Sequence, residues 1–271
     1  MEKHIIIIDL DGTLMLDFSH YDEETINYLK RLHNDGHIII IATGRPLRSS
    51  FFVHQAIGLD SPIINYNGAL VENPFDDNFP KTDLRVEKDD LVKIFDFVGD
   101  NLINVFGEIH DDIYVLDYNE DIHDFLHVDG GVLHVGPMEQ TLPDNPNGCL
   151  MFVKSEFVDE LQNFVEQNFS DRLRSRHWSI GQFHIVEVYH IQVNKGAGLA
   201  ETMKYYDIPK ERVIAIGDGH NDIEMFDVAG ISVAMKNSHK DLFAHATNIT
   251  DSFDNQGVLK FLKQYFEKEN Q

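Results

Sequence analysis

Carboxylates recur in this chain at two places, with the spacing of a cation site. Asp9 and Asp11 flank Leu10 and precede Gly12 and Thr13, while Asp218 and Asp222 stand in Gly217-Asp218-Gly219-His220-Asn221-Asp222. Two acids at the end of an apolar run are costly to bury unless a cation joins them. A hard, oxygen-seeking ion such as Mg²⁺ meets that need. Elsewhere lie Thr43-Gly44-Arg45 and Asn194-Lys195-Gly196. A hydroxyl, backbone amides and an ammonium of this kind make a cradle for a phosphate. Taken singly, each motif also reads as an ordinary loop, an Asp-Gly turn in the case of Asp11-Gly12. Their coincidence at the ends of several strands argues against that reading.

Those strands are legible as apolar, β-branched runs. Ile5-Ile6-Ile7-Ile8 stops at Asp9, His37-Ile38-Ile39-Ile40-Ile41-Ala42 stops at Thr43, and Val213-Ile214-Ala215-Ile216 stops at Gly217. Such runs belong to strands buried on both faces of a parallel sheet, where ligands sit beyond the carboxyl ends. Helices are expected over 22–35 with Asp22 as N-cap and an Ile26, Leu29, Leu32 stripe, and over 47–57, 195–206, 222–229 and 257–268. A short strand is expected at 62–66 and another at 231–234. The middle differs: strand runs at 112–116 and 182–188 interleave with helices near 88–98 and 156–169, which suggests an antiparallel α+β module. The fold class is α/β, a parallel sheet core (1–81 and 189–271) interrupted by an inserted α+β domain (82–188). The turn-rich Pro74 to Pro80 stretch marks the entry.

Composition narrows the function classes. A net charge of -24 argues against nucleic-acid binding and requires any phosphate site to carry its own positive charge. The single cysteine, Cys149, excludes an internal disulfide framework and reads as a buried hydrophobe. Glu2-Lys3-His4 runs straight into the first strand, and no apolar stretch approaches the roughly 20 residues of a membrane span. The expectation is a cytoplasmic monomer that needs no membrane. His123 and His127, four apart, have the spacing of zinc ligands, but Asp121, Asp124 and Asp129 around them favour a solvated acidic face. Arg172, Arg174 and Arg176 alternate, either as a recognition row for a second anionic group or as an exposed sheet face. Trp178 and Phe183 read equally as pocket lining or as core.

Taken together, Asp9-Leu10-Asp11-Gly12-Thr13-Leu14, Ala42-Thr43-Gly44-Arg45, Asn194-Lys195-Gly196 and Gly217-Asp218-Gly219-His220-Asn221-Asp222 resemble the four motifs of the haloacid dehalogenase superfamily. The insert resembles that of the Cof-type branch, sugar-phosphate phosphatases with a large α/β cap on a Rossmann-like core. Asn65-Tyr66-Asn67-Gly68-Ala69 and Asp254-Asn255-Gln256-Gly257-Val258 are further matches. Where the family often has Ala-Met-Gly-Asn-Ala, this chain reads Ala234-Met235-Lys236-Asn237-Ser238, which puts a cation near the expected site entrance.

The resemblance implies a Mg²⁺-dependent phosphatase acting on a small phosphorylated metabolite. Asp9 would be the nucleophile, forming an aspartyl-phosphate, and Asp11 the acid and base. Asp9, the Asp11 backbone carbonyl and Asp218 would hold the metal. Thr43, the Gly44 amide, Lys195 and Asn221 would hold the phosphoryl oxygens. Asp222 either orients the metal site or ligates the ion, and Arg45 either reaches the site or braces it. A cap of this size would close over the substrate, which disfavours phosphoprotein substrates. Sugar phosphates, flavin mononucleotide and pyridoxal phosphate fit the branch. A phosphomutase on the same core and a non-catalytic phosphometabolite sensor are the alternatives.

Overall fold

Four isoleucines without exposed surface form the centre of the first sheet. In the computed structural model, which describes residues 2–269 apart from 16, 18, 127 and 129, Ile5–Ile8 form β1. Next come α1 (Glu23–Asn34), β2 (Ile38–Ala42), α2 (Phe51–Ile57), β3 (Ile63–Asn65), β4 (Leu70–Glu72) and β5 (Thr82–Asp83). They are followed by α3 (Lys88–Val98), β6 (Leu102–Ile109), β7 (Asp112–Val115), α4 (Glu120–Leu126), β8 (Leu133–Val135), α5 (Met138–Thr141) and β9 (Gly148–Val153). Then come α6 (Val158–Phe169), β10 (Leu173–Ile180) and β11 (Phe183–His190). The chain continues through α7 (Lys195–Tyr206), β12 (Val213–Gly217), α8 (Ile223–Val228), β13 (Ile231–Ala234), β14 (Asn248–Ile249) and α9 (Gly257–Glu269).

One sheet has the order β14-β13-β12-β1-β2-β3-β4-β5, and a second has the order β10-β11-β9-β6-β7-β8. The described chain divides into two compact units: Met1–Arg45, Ser50–Thr82 and Asn194–Gln271 in one, Pro46–Ser49 and Asp83–Val193 in the other. Among the described residues no helix is long and apolar enough to cross a membrane.

In the first unit β1 lies between β12 and β2, parallel to both, with Ile8 level with Ile216 and Ile41. That register brings the ends of three strands, at Asp9, Thr43 and Asp218, to one edge. Ile5, Ile7 and Ile40 pack with Leu199, Met225 and Phe226 of α7 and α8. Each buried aliphatic side chain of this kind contributes about 1.5–3 kcal/mol. Asp22 caps α1 as expected, accepting from the Thr25 amide at 2.8 Å, and Ile26, Leu29 and Leu32 are buried. One pairing is not parallel: β3 and β4 form an antiparallel hairpin. Tyr66, Asn67 and Gly68 all have positive φ there, and an Asn-Gly pair tolerates that reversal.

The second unit is an antiparallel sheet with one exception, the parallel β7–β8 pair. A crossover through α4 permits it. Leu91 and Ile94 of α3 and Leu161 and Val165 of α6 cover one face, against Val105, Met151 and Val186. Cys149 is in this core, and burial pushes its thiol pKa up, so it acts as a hydrophobe. On the other face Trp178 and Phe183 pack against the Phe106, Phe152 and Ile185 cluster. The arginine row is held by ion pairs: Arg172 with Asp90 at 2.6 Å, Arg174 with Glu166 at 3.8 Å and Arg176 with Glu187 at 2.6 Å. His123 on α4 borders a cavity of about 360 Å³ with Tyr118, Asn119 and Glu120. His127 and Asp129 lie outside the described residues, as do the side chains of Asp121 and Asp124.

The single helix expected over 47–57 is broken at Ser50 into a 3₁₀ turn, Leu47–Ser49, and α2. Arg48 explains the break. Its amide donates to Asp111 at 2.8 Å, and its buried guanidinium binds Glu108 and the Leu126 carbonyl, so Pro46–Ser49 folds with the second unit.

Gly196, second residue of α7, permits close packing of α7 on α8: a Cβ there would stand 2.4 Å from the Glu224 carbonyl oxygen. Alanine's better helix propensity, about 0.5–1 kcal/mol, does not offset a backbone clash. We expect Gly196→Ala to destabilise the protein by about 1–3 kcal/mol, read as a lower urea midpoint; an unchanged or raised midpoint would refute this packing account.

Candidate active site

The end of β1 delivers Asp9 to the carboxyl edge of the sheet, where its amide donates to the Ile216 carbonyl at 3.0 Å. Leu10 accepts from the Leu14 and Met15 amides, tightening the turn behind it. Gly12 has φ +82, and a Cβ on it would stand 2.3 Å from Asp218 Oδ2. Only glycine allows both the conformation and the approach. Across the gap, Thr13 Oγ1 donates to Asp218 Oδ1 at 2.7 Å, and Asn237 Nδ2 donates to the Gly12 carbonyl at 2.8 Å.

Asn194 caps α7 by accepting from the Ala197 amide at 2.7 Å, which starts the helix at Lys195. The Lys195 side chain has no exposed surface. Its ammonium donates to Asp9 Oδ1 at 2.5 Å and to Asp222 Oδ1 at 2.6 Å. Asp222, equally buried, accepts through Oδ2 from the amides of Asp218 (2.9 Å) and Gly219 (2.8 Å). Asp9, Asp218 and Asp222 each offer an oxygen within 4.8 Å of the others.

Three carboxylates around one ammonium leave an excess of negative charge. Burial raises the Asp9 pKa well above the usual carboxylate value, and Asp222 and Asp218 add to the rise against the opposing pull of Lys195. Asp218 is pushed up to about 6, by burial first and then by Asp222 and Asp11, against Thr13 and Lys195. Burial alone would lower the Lys195 pKa, but Asp222 and Asp9 outweigh it and raise it above the ordinary lysine value. Such a set of oxygen donors, crowded together and short of positive charge, fits a hard divalent cation.

Two further groups meet this edge. Arg45, buried, donates through Nε to Asp11 Oδ2 at 2.9 Å and through Nη2 to Asp11 Oδ1, so both oxygens of the half-exposed Asp11 carboxylate are engaged. Thr43 Oγ1 accepts from the Arg45 amide at 3.1 Å. Asn221 Nδ2 donates to Asn67 Oδ1 at 2.7 Å, and the Asn67 amide donates to the Thr43 carbonyl at 2.9 Å. A Cβ on Gly44 would meet Asn67 Nδ2 at 3.1 Å. Asp9, Lys195, Asp218 and Asp222 thus form one cluster, Asp11 with Arg45 a second, and Thr43, Gly44 and Asn221 a third, joined by Asn67. Sequence reasoning assigned no part to Thr13, Asn67 or Asn237. The exposed Lys236 acts on Asp251, where with Lys260 it lowers the carboxyl pKa.

Removing the buried cation would strand Asp9 and Asp222 without a counter-charge, a loss of about 3–5 kcal/mol. We expect Lys195→Met to lower the urea midpoint accordingly. A midpoint equal to wild type would show that the ammonium is not their counter-charge.

The haloacid dehalogenase-like hydrolase model matches residues 6–262. The chain is 34% identical over 266 residues, 98% of each chain, to the 5-amino-6-(5-phospho-D-ribitylamino)uracil phosphatase YitU of Bacillus subtilis. It is 27% identical over 279 residues to the pyridoxal phosphate phosphatase YbhA of Escherichia coli, covering 97% of this chain and 98% of that one. Its fold is similar to a haloacid dehalogenase-like hydrolase from Bacteroides thetaiotaomicron, with a TM-score of 0.84 at 18% identity, covering 97% of this chain and 100% of that structure. With that match and the ends of β1, β2 and β12 gathered at one edge, the chain belongs to the haloacid dehalogenase-like hydrolase family and is a phosphoric monoester hydrolase.

Proposed function

We propose that this enzyme is a Mg²⁺-dependent phosphatase of a small phosphorylated metabolite, acting through an aspartyl-phosphate on Asp9. The observation that supports it most is the grip of Lys195 on Asp9 Oδ1, which fixes the carboxylate's rotation and presents its other oxygen as nucleophile. That oxygen attacks phosphorus as the bond to the leaving oxygen breaks, and Asp11 gives its proton to the departing alkoxide. Water then attacks phosphorus, Asp11 takes its proton, and the Asp9–phosphorus bond breaks to release phosphate. Arg45 occupies both Asp11 oxygens in this structure; proton transfer needs one of them to turn from the guanidinium to the substrate. Asp9, the Asp11 backbone carbonyl and Asp218 are the groups that would hold Mg²⁺, whose charge neutralises carboxylates and phosphate alike. Both Asp222 oxygens are engaged by Lys195 and the loop amides, which favours an orienting part for it. Thr43, the Gly44 amide, Lys195 and Asn221 steady the phosphoryl oxygens.

A sugar or sugar-alcohol phosphate is the proposed substrate class. An alkoxide is a poor leaving group and needs an acid at Asp11, and YitU is named for a substrate whose phosphate sits on a ribityl chain. The core, residues 1–81 and 189–271, carries the chemistry, and the inserted residues 82–188 carry substrate selection. The low cysteine content suits a cytoplasmic setting, and no heptad pattern calls for an oligomer.

The test is phosphate release with Mg²⁺ from 5-amino-6-(5-phospho-D-ribitylamino)uracil, sugar phosphates, flavin mononucleotide and pyridoxal phosphate. Release from the polyol esters is expected, abolished in Asp9→Asn and reduced about 10²–10⁴-fold in Asp11→Asn. Near-wild-type turnover of Asp9→Asn would sink the nucleophile, and no release from any ester would sink the phosphatase reading. Mg²⁺ binding has its own readout. A carboxyl with a raised pKa takes up a proton as pH falls through that pKa, and only its ionised form holds a cation. With Asp218 at about 6, millimolar Mg²⁺ should raise Tm at pH 8 and do little at pH 5. An equal rise at both pH values would contradict binding through these carboxylates.

A further inference from the structure

The tip of the β10–β11 hairpin carries two imidazoles that have no part in the proposed hydrolysis. The antiparallel register sets Ser179 opposite His184 and His177 opposite Val186, so His177, Ser179 and His184 share one face. Toward the inner end of the hairpin that face carries Leu173, Val186 and Val188, which pack in the core with α6. Trp178, Phe183 and the Arg176–Glu187 pair belong to the opposite face.

His177 Nε2 lies 3.3 Å from His184 Nδ1, and Ser179 Oγ lies 3.3 Å from the first nitrogen and 3.1 Å from the second. The three donor atoms form a nearly equilateral triangle. Zinc–nitrogen bonds of about 2.0–2.1 Å at the tetrahedral angle separate two donors by about 3.3–3.4 Å, so the triangle has the dimensions of one face of a tetrahedral site. The strands that carry it are fixed by pairing, with His184 also level with Val153 of β9. A site on a rigid sheet loses little on ordering. Two acidic groups lie within electrostatic reach of it: Asp159 acts on His177, and Glu156 feels the charge of His184. The net charge of -24 raises the local concentration of any cation.

We propose that His177 and His184, with the Ser179 hydroxyl as a weaker third donor, bind one divalent transition-metal ion of the Zn²⁺, Ni²⁺ or Cu²⁺ class. Water completes the coordination. Imidazole nitrogen selects these ions over Mg²⁺, which prefers oxygen, so this site and the carboxylate cluster differ in the ion they take as well as in residues.

The experiment is calorimetric titration of Zn²⁺ into chelator-stripped full-length protein in excess Mg²⁺, which keeps the carboxylates occupied. One Zn²⁺ per chain is expected, retained in Asp9→Asn and weakened by about tenfold or more in His177→Ala and in His184→Ala, since each loses the chelate advantage of the second imidazole. Far-ultraviolet circular dichroism and Tm in Mg²⁺ check that both alanine variants fold. Undiminished Zn²⁺ binding in the folded alanine variants, binding lost in Asp9→Asn but kept in them, or no Zn²⁺ binding by the wild type would each overturn the site.

Discussion

An ammonium with no exposed surface, set between two buried carboxylates, is the constraint on which the rest of this enzyme depends. Lys195 sits at the first position of α7 and touches both Asp9 and Asp222. Asp222 in turn holds the amides of Asp218 and Gly219. One cation therefore ties the ends of β1 and β12 to a third element. Removing either carboxylate or the amine would leave a charge that a low-dielectric interior tolerates poorly. The sheet's aliphatic residues supply most of the burial energy, yet they do not by themselves set the position of an oxygen. The ion-paired cluster does, because its bonds fix rotation as well as distance.

The same cluster explains why the edge of the sheet is left short of positive charge. A single ammonium among Asp9, Asp218 and Asp222 is a compromise between folding and ligand binding. It is enough to let the protein bury these groups, with Asp218 shifted to about 6, and too little to neutralise them. In the proposed mechanism a divalent cation would make up that deficit and draw an anionic substrate toward a protein whose overall charge repels anions. Arg45 repeats the arrangement on a smaller scale, with one guanidinium spanning both oxygens of Asp11.

How much of this could be read from the chain depended on how local the cause was. The ends of β1, β2 and β12 were visible because isoleucine and valine runs stop where Asp9, Thr43 and Gly217 begin, and the α1 cap was visible because Asp22 precedes an apolar stripe. The β3–β4 hairpin shows in the chain only as the Asn67-Gly68 turn signal. Thr13, Asn67 and Asn237 gained their places only through contacts with segments far along the chain, such as Asp218, Asn221 and Gly12. The alternating arginines carried a true signal of a strand, but their partners Asp90, Glu166 and Glu187 come from three different elements. The break at Ser50 likewise follows from Arg48 finding Glu108 some sixty residues on. Periodicity reports what one element wants; it is silent about which distant group will answer a charge.

The pairing of β1 with β12 has a consequence for how the molecule is made. The partner residues Ile5 and Val213 are separated by roughly two hundred residues, and all of Asp83–Val193 lies between them. At a synthesis rate of about 5–20 residues per second, β1 leaves the ribosome about 10–40 s before the strand that covers its far edge. During that interval four isoleucines and an unpaired strand edge are available to any other chain. The inserted unit, complete within one continuous stretch apart from Pro46–Ser49, has everything else it needs to fold first. The nascent chain thus passes through a stage with a finished middle and an open, adhesive beginning, and the arrival of β12 ends it.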